Sequence, residues 1–322
     1  MTSTTGVPNV PSGNWDLNSA LDFFRPKPSP FGLIRVGGKR DGAYLLPADL
    51  YGISACFSPG VANRKDFEDE LLKAYGIRSY MVDFSSDEAN FRTPLAPGAQ
   101  FFDKKWLAPA DSENSISLAT WVGKREPESS SLLLQMDIEG AEYANLATVP
   151  DSVLAQFRVL VIEFHNFRER LMALPNDAEF EEVLERLSKH FQVVHARPNN
   201  CCPSGPLPSS NTEVPTVIEV TFLRLDRFGL RPSNRMRPVK VPHPRDVSRN
   251  VIHRPPIHLG GSWVAGKRPV VSQLKVFADW FSWFLYDRIR HWPYRAKRTL
   301  VEVFAAGSNR SSPKPEEKGS QP

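Results

Sequence analysis

The sequence predicts an α/β protein built on a mostly parallel β-sheet. Apolar runs typical of strands alternate with helical patterns across residues 31–227, as expected where helices cover a sheet. The runs at residues 131–137 and 158–165 are almost continuously apolar, which is typical of strands buried on both faces. Apolar residues make up 41% of the 322 residues and charged residues 24%. This composition allows a packed core and excludes a wholly disordered chain.

Residues 1–76 contain two predicted helices and one predicted strand. We expect a flexible N-terminal arm over residues 1–30, which is rich in Pro, Ser and Asn, with one helix at residues 17–24. A short strand at residues 53–58 ends in a Pro-Gly turn. Residues 66–75 place apolar side chains at helical spacing, and Gly76 ends that helix.

The remaining elements complete the sheet within a domain of residues 31–228. A strong amphipathic helix is predicted at residues 179–191. Two last strands, at residues 192–195 and 216–223, are expected to be joined by a long loop rich in Pro, Ser and Asn. They are expected to pair antiparallel because no helix separates them. The strands before that helix are predicted at residues 78–83, 131–137 and 158–165.

The C-terminal third differs from this pattern. Residues 229–269 contain seven prolines and no periodicity, which predicts an irregular wrap or linker. Residues 270–306 predict an amphipathic helix with a broad aromatic face, followed by a disordered tail at residues 307–322.

Charge is divided unevenly along the chain. Residues 1–228 carry a net charge of −8, whereas residues 229–300 carry +12, which indicates an acidic body with a basic appendage. Nucleic-acid binding is not expected, because the basic residues are scattered among prolines without a recognition motif. Trp, Phe and Arg side chains at residues 270–298 suit an interfacial helix on a membrane. Docking on the body or on a second copy would bury the same rings, so both interpretations stay open.

The chain shows no sign of secretion or of a membrane span. Its three cysteines, Cys56, Cys201 and Cys202, are too few and too badly spaced for a disulfide framework or a four-ligand zinc site. The first thirty residues contain no secretory signal. No apolar run approaches the roughly 20 residues that a bilayer requires. We therefore expect a cytoplasmic protein, with peripheral membrane contact as the alternative.

Acidic residues end three of the predicted strands. Asp83, Asp137 and Glu163 lie at strand ends, and His165 follows the last of them. In an open α/β sheet, ligands bind beyond the carboxyl ends of the strands. Gly60 ends the first strand, and an acid one strand away is suited to bind the two hydroxyls of a ribose. A nucleoside cofactor is therefore expected, although NAD is disfavoured because the full GxGxxG fingerprint is absent.

Five sequence blocks, in order, resemble one protein family. The run LLQMDIEGAE at residues 133–142 resembles the most specific motif of the FkbM-like methyltransferases. Ala43 and Ala62 stand where that family often has glycine, and Arg245 where leucine is common. The other four blocks are GGKRDGAY at residues 37–44, SPGV at 58–61, residues 195–200 with 218–221, and PHPRD at 242–246.

The resemblance implies a Rossmann-like class I methyltransferase fold. Its sheet would have seven mostly parallel strands with the last strands antiparallel. The implied cofactor is S-adenosylmethionine, and the implied reaction is O-methylation of a hydroxyl on a sugar, a glycan or a natural product. The residues expected to hold the cofactor are Ser58, Gly60, Asp83 and Asp137.

Methyl transfer to a hydroxyl requires alignment and a base. His165 is the leading candidate for the base, because it titrates near neutrality and lies beside Glu163. Asp137 is the alternative base. No metal is expected, although Asp137, Glu163 and Asn166 carry oxygen ligands of the kind that Mg²⁺ uses.

The acceptor is expected to contact Glu139, Asn199 and Asn200. A purely structural alternative makes Glu139 and Glu142 helix N-terminal acids, and makes the asparagines ordinary turn residues.

Two other functions are compatible with the same residues. If the chain is not a methyltransferase, one alternative is a catalytically inactive cofactor-binding adaptor. The other is a glycosyltransferase that uses a nucleotide sugar. A glycosyltransferase would share the sheet and the acids at the strand ends, but would bind a nucleoside diphosphate sugar.

Overall fold

The structure is a computed structural model. It describes residues 15–38, 41–207, 210–230 and 236–246, and then residues 250, 251, 253, 254, 256, 257, 259 and 263. The aromatic helix predicted at residues 270–306 and the tail predicted at residues 307–322 lie outside the described residues.

The described residues form seven α-helices and thirteen strands, numbered in chain order. The helices are α1 (Leu17–Phe24), α2 (Asp66–Tyr75), α3 (Leu118–Arg125), α4 (Glu142–Thr148), α5 (Asp151–Leu154), α6 (Phe167–Ala173) and α7 (Ala178–His190). The strands are β1 (Leu33–Val36), β2 (Tyr44–Pro47), β3 (Ala55–Pro59), β4 (Arg78–Val82), β5 (Gln100–Asp103), β6 (Trp106–Leu107), β7 (Ser115–Ile116), β8 (Leu132–Met136), β9 (Phe157–Phe164), β10 (Phe191–Pro198), β11 (Ser204–Leu207), β12 (Ser210–Pro215) and β13 (Ile218–Arg224).

Seven strands form the central sheet, in the order β10-β13-β9-β8-β3-β4-β5. All neighbouring pairs are parallel except the two that involve β13, which runs antiparallel to both β9 and β10. The chain moves outward from β3 in one direction and from β8 in the other, so the order reverses between these two strands. This confirms the expected mixed α/β architecture with a mostly parallel seven-stranded sheet.

Strand β8 shows why the central strands form where they do. All five of its residues are buried. Leu132 and Leu134 face one core cluster, which includes α1, α3, α4 and α7, and Leu133 faces the other, which includes α2 and the β1–β2 pair. A strand covered on both faces needs apolar side chains on both sides. This requirement explains the continuous apolar run in the sequence.

The three helices predicted within the described residues, at 17–24, 66–75 and 179–191, are confirmed within one residue. Helix α2 has three acids in its first turn and ends at Gly76, which adopts the left-handed conformation (φ 68°) that glycine favours. Helix α7 begins one residue before the prediction, because the Asp177 side chain accepts a hydrogen bond from the backbone N–H of Phe180.

The N-terminal segment differs from the expected flexible arm over residues 15–30. Helix α1 buries Ala20, Leu21 and Phe24 in the larger core cluster. The Phe24 ring packs against the rings of four other phenylalanines, Phe164, Phe167, Phe180 and Phe222. An apolar face of this size is stable only when it is covered, so the helix docks on the sheet.

The proline-rich segment also packs on the body where it is described. Ser29 and Arg237 exchange two backbone hydrogen bonds, of 3.2 and 2.6 Å. The side chains of Val241, Leu259 and Trp263 belong to the same core cluster as α1. Its described residues therefore form an irregular wrap around the body.

The segment between β10 and β13 was expected to be a long loop. Its residues form the antiparallel hairpin β11–β12. Within the part of the chain that the structure describes, no helix is both long and apolar enough to span a bilayer.

Candidate functional site

The carboxyl ends of the strands bring most of the predicted site residues together. Asp137 directly follows β8, Glu163 lies in β9 one residue before its end, and His165 follows β9. Because β8 and β9 are parallel neighbours, these three side chains meet at one edge of the sheet. Asp83 follows β4, two strands away from β8.

The imidazole of His165 lies at the centre of this group. Its Nδ1 atom lies 3.1 Å from Oε1 of Glu142. Its Nε2 atom lies 3.4 Å from Oε2 of Glu139 and 4.0 Å from both Oδ1 of Asp137 and Oε1 of Glu163. A carboxylate can only accept, so Nδ1 carries the hydrogen, and Nε2 of the neutral ring is free to accept a proton.

Glu142 is a site residue that the sequence analysis treated only as a candidate helix acid. It begins α4, and its side chain is fully buried. Its Oε1 atom accepts hydrogen bonds from the backbone N–H groups of Ile138 (3.0 Å) and Gly140 (3.2 Å). These contacts fix the carboxylate against the ring of His165. The signal was present, since Glu142 is the last acid of the DIEGAE run.

A second group of polar side chains lies beside Glu163. Asn199 donates a hydrogen bond of 2.6 Å to Oε1 of Glu163. Glu219 of β13 is the register partner of Glu163, and Asn250 donates to it over 2.7 Å. Asn250 also donates over 2.8 Å to Asp41. The sequence analysis did not identify Glu219, Asn250 or Asp41, although an acid between the apolar residues of β13 is a usable signal.

Burial and crowding of like charges shift the titration of these groups. Burial raises the pKa of Asp137 to about 7, against the opposing effect of His165, and Glu139 and Glu142 add to the rise. Burial, together with the charges of Asp137 and Glu219, holds the pKa of Glu163 well above its ordinary value. Burial alone would lower the pKa of His165. The hydrogen bond and charge of Glu142, with the charges of Asp137 and Glu139, outweigh that effect and raise it.

Two predicted cofactor residues, Ser58 and Gly60, lie at the end of β3 and in the turn after it. Gly60 has a φ of +82°, and a Cβ atom there would lie 1.6 Å from the backbone oxygen of Asp137. Only glycine fits, because the ends of β3 and β8 approach so closely. The hydroxyl of Ser58 is buried and contacts Glu68 and Gln135, so it faces the interior of the protein.

Asp83 is engaged with its own loop. Its carboxylate accepts hydrogen bonds from the backbone N–H of Ala62 (2.8 Å) and from the side-chain hydroxyls of Ser85 and Ser86 (both 2.7 Å). Burial opposes ionisation, but these bonds prevail and hold its pKa below the ordinary value. The charged carboxylate therefore ties the turn after β3 to the loop after β4.

The predicted acceptor residues differ in exposure. Glu139 is 89% exposed, next to His165. Asn199 is buried on Glu163, and Asn200 is buried under the proline-rich wrap, where it donates to the backbone oxygens of Val251 (2.8 Å) and Arg254 (3.1 Å). Asn200 therefore connects β10 to the wrap, and Glu139 is the most accessible of the three.

Backbone strain is concentrated at this edge of the sheet. The four non-glycine residues with positive φ among the described residues are Ala62 (46°), Asn63 (57°), Glu139 (56°) and Asn166 (53°). They lie in the segments that follow β3, β8 and β9. Left-handed backbone at non-glycine residues is costly and tends to occur at functional sites, so the strain supports a site at this edge.

A cavity of about 380 Å³ lies beside β5, away from these residues. Asp103, Lys105, Trp121, Lys124 and Arg125 contribute to its lining. None of the residues predicted from the sequence lines it.

Comparison with known proteins adds no assignment. No protein-family model matches the chain, and no curated protein matches it.

Proposed function

We propose that the protein is an S-adenosylmethionine-dependent methyltransferase that methylates a hydroxyl group of a small molecule, a sugar or a glycan. The observation that carries the proposal is the imidazole of His165, which Glu142 orients at the carboxyl edge of the sheet, after β9 and one strand from the β8–β3 pair where the strand order reverses. Ligands of open α/β sheets bind at that place. The sheet, parallel except for its last strand, agrees with the class I methyltransferase fold that the sequence resemblance implies.

The reaction requires a proton acceptor beside the acceptor hydroxyl. When bound, S-adenosylmethionine would supply an electrophilic methyl group to the hydroxyl oxygen and would be released as S-adenosylhomocysteine. Nε2 of His165 would accept the hydroxyl proton. Carboxyl oxygens of Asp137, Glu139 and Glu163 lie 3.4 to 4.0 Å from Nε2, where an ionised carboxylate stabilises the imidazolium that forms.

The cofactor would lie over the turn after β3. Gly60 gives this turn its shape, and the Asp83 carboxylate fixes the loop beside it. A role for Asp83 in binding ribose hydroxyls requires its carboxylate to exchange serine hydrogen bonds for ribose ones. Asp83 therefore acts first by positioning the loop, and Asp83→Asn tests its direct contact with the cofactor.

Calorimetric titration with S-adenosylhomocysteine tests cofactor binding. We expect micromolar affinity for the full chain, a clear loss in Asp83→Asn, and no change in Asp87→Asn, a matched control at an exposed aspartate four residues later. His165→Gln should retain the affinity and lose turnover with a panel of hydroxylated acceptors, because His165 acts on the acceptor.

The alternatives predict other results. A glycosyltransferase would bind a uridine or guanosine diphosphate sugar and not S-adenosylhomocysteine. An inactive adaptor would bind S-adenosylhomocysteine without turnover on any acceptor.

A further inference from the structure

Two carboxylates and one imidazole converge at the centre of the site. Asp137, Glu142 and His165 each offer one ligand atom, and these atoms all lie within 4.8 Å of one another. An octahedral cation with bonds of about 2.1 Å holds adjacent ligand atoms about 3.0 Å apart and opposite ones about 4.2 Å apart. Loss of the hydrogen that Nδ1 of His165 shares with Glu142, together with small side-chain movements, would let the three groups close around one ion.

A buried atom without a partner marks the same place. The side chain of Glu142 is 0% exposed, and its Oε1 atom is held by two backbone N–H groups and by His165. Its Oε2 atom is buried and has no hydrogen-bond partner. A buried carboxylate oxygen without a partner is costly, and a cation would satisfy it.

The charges around the ring point to the same kind of ligand. Four carboxylates, those of Asp137, Glu139, Glu142 and Glu163, lie within 4.0 Å of one of the two ring nitrogens of His165. When all four groups are ionised, a single imidazolium neutralises only one of their charges. A doubly charged ion supplies the missing positive charge in a smaller volume than an organic cation would need.

We infer that the protein binds a divalent metal ion through Asp137, Glu142 and His165. Glu139 and Glu163 lie 3.4 and 4.0 Å from Nε2 of His165 but are not part of this three-ligand group. Mixed carboxylate and imidazole ligands suit Mn²⁺ and related ions, which accept nitrogen more readily than Mg²⁺ does.

The ion would change how the acceptor loses its proton, and this consequence rests on the proposed methyltransferase function. A bound cation polarises a hydroxyl that contacts it and favours loss of the proton. His165 would then be a ligand instead of the base, and the proton would leave to water. Binding of the ion itself requires neither cofactor nor acceptor, so it can be measured independently.

The test is titration of the metal-free, full-length protein with Mn²⁺ at about pH 7.5. Electron paramagnetic resonance measures the free ion. We expect one saturable site. Glu142→Gln and Asp137→Asn should each weaken binding at least about tenfold, and Glu88→Gln, a control at an exposed acid of the same type, should leave it unchanged. Gln keeps the acceptor oxygen for the backbone N–H groups of Ile138 and Gly140, so the Glu142 variant should fold, as circular dichroism would verify.

Absence of a saturable site in folded protein would overturn the inference, as would binding that both site variants leave unchanged. Either result leaves the methyltransferase proposal intact if S-adenosylhomocysteine still binds. Conversely, a single Mn²⁺ site that depends on Asp137 and Glu142 would support the inference even in protein that fails to bind S-adenosylhomocysteine.

Discussion

His165 needs an unprotonated ring nitrogen whether it acts as the base or as a metal ligand. Its neighbours raise its pKa above the ordinary value of 6.5. Since the active form is the one that has lost the proton, activity should rise with pH. We expect the acidic limb of kcat/KM for methyl transfer to have its midpoint above pH 6.5.

His165→Gln should remove this limb and lower turnover by about 10²- to 10⁴-fold. His190→Gln is the matched control, because His190 lies at the C-terminal end of α7, just before β10 begins. An acidic limb that survives in His165→Gln would assign the titration to another group.

Ala62 is the second residue whose local conformation makes a prediction. Its backbone φ of 46° lies in the left-handed region. A residue with a Cβ atom adopts this conformation at a cost of about 1 kcal/mol or more relative to glycine. Ala62→Gly should therefore raise the free energy of unfolding by about 0.5–1 kcal/mol in urea titrations. Ala89→Gly, in the exposed 3₁₀ turn Glu88–Asn90, should lower it, because glycine there only loses conformational entropy.

At the scale of single residues, the sequence located much of the site but not its contacts. Asp137, Glu163 and His165 were predictable, because strand ends are marked by the end of an apolar run. The burial of Ser58 and Asn200 was not, because it depends on Glu68 and on the wrap near Val251. These partners come from distant parts of the chain or from a neighbouring helix face.

A buried hydrogen-bonded network connects strands β2, β3 and β8 to helix α2. Ser58 donates to Oε1 of Gln135 over 2.7 Å, and Gln135 donates to the hydroxyl of Tyr44 over 3.3 Å. Ser58 also contacts Glu68, whose pKa burial raises to about 7. One hydroxyl hydrogen cannot serve two acceptors. The protonated carboxyl of Glu68 satisfies the network, because it donates to Ser58.

This network makes stability depend on pH. Below pH 4.5, the ordinary pKa of Glu68, both the folded and the unfolded chain hold the proton. Between pH 4.5 and about 7 only the unfolded chain ionises, so the free energy of unfolding falls as pH rises. The loss reaches about 3 kcal/mol and is constant above that range.

Glu68→Gln should remove this dependence, because its amide donates to Ser58 without titrating. We expect it to be about 1–3 kcal/mol more stable than the parent at pH 8, with no gain at pH 4, in denaturant titrations. Glu113→Gln, at an exposed acid, is the control. Equal gains at both pH values would contradict the titration of Glu68.

At the scale of elements, the periodicity of apolar residues predicted the long, regular helices and strands. The apolar stripe of α7 and the run of β8 are of this kind. Strand β5 (Gln100–Asp103) was missed, because it is short and flanked by Pro, Gly and Lys. The hairpin β11–β12 was missed, because its Pro, Ser and Asn content is typical of a loop.

The whole molecule extends beyond the domain predicted from the sequence at residues 31–228. Phe24 precedes that range and Trp263 follows it, yet both side chains are fully buried. Nε1 of Trp263 donates to the backbone oxygen of Glu213 over 3.0 Å, and its ring packs against Phe167. Loss of a buried aromatic side chain costs about 3–5 kcal/mol, which is a large share of the stability of a typical domain.

A fragment of residues 31–228 should therefore be unfolded or aggregated, whereas residues 1–269, which cluster as one compact unit, should unfold cooperatively. Thermal circular dichroism of the two fragments measures this difference. Full-length Phe24→Ala and Trp263→Ala serve as intermediate cases with lowered melting temperatures. A stable 31–228 fragment would show that the body folds without the flanking segments.

The position of β13 in the sheet also affects the order in which the sheet can form during synthesis on the ribosome. During synthesis β10 appears before β13 but has no place in the sheet, because β13 lies between it and β9. The edge of β9 stays unpaired until residues 218–224 leave the exit tunnel, and an unpaired edge can add a foreign strand. For that time the unpaired edge of β9 exposes the nascent chain to aggregation, until β13 inserts between β9 and β10.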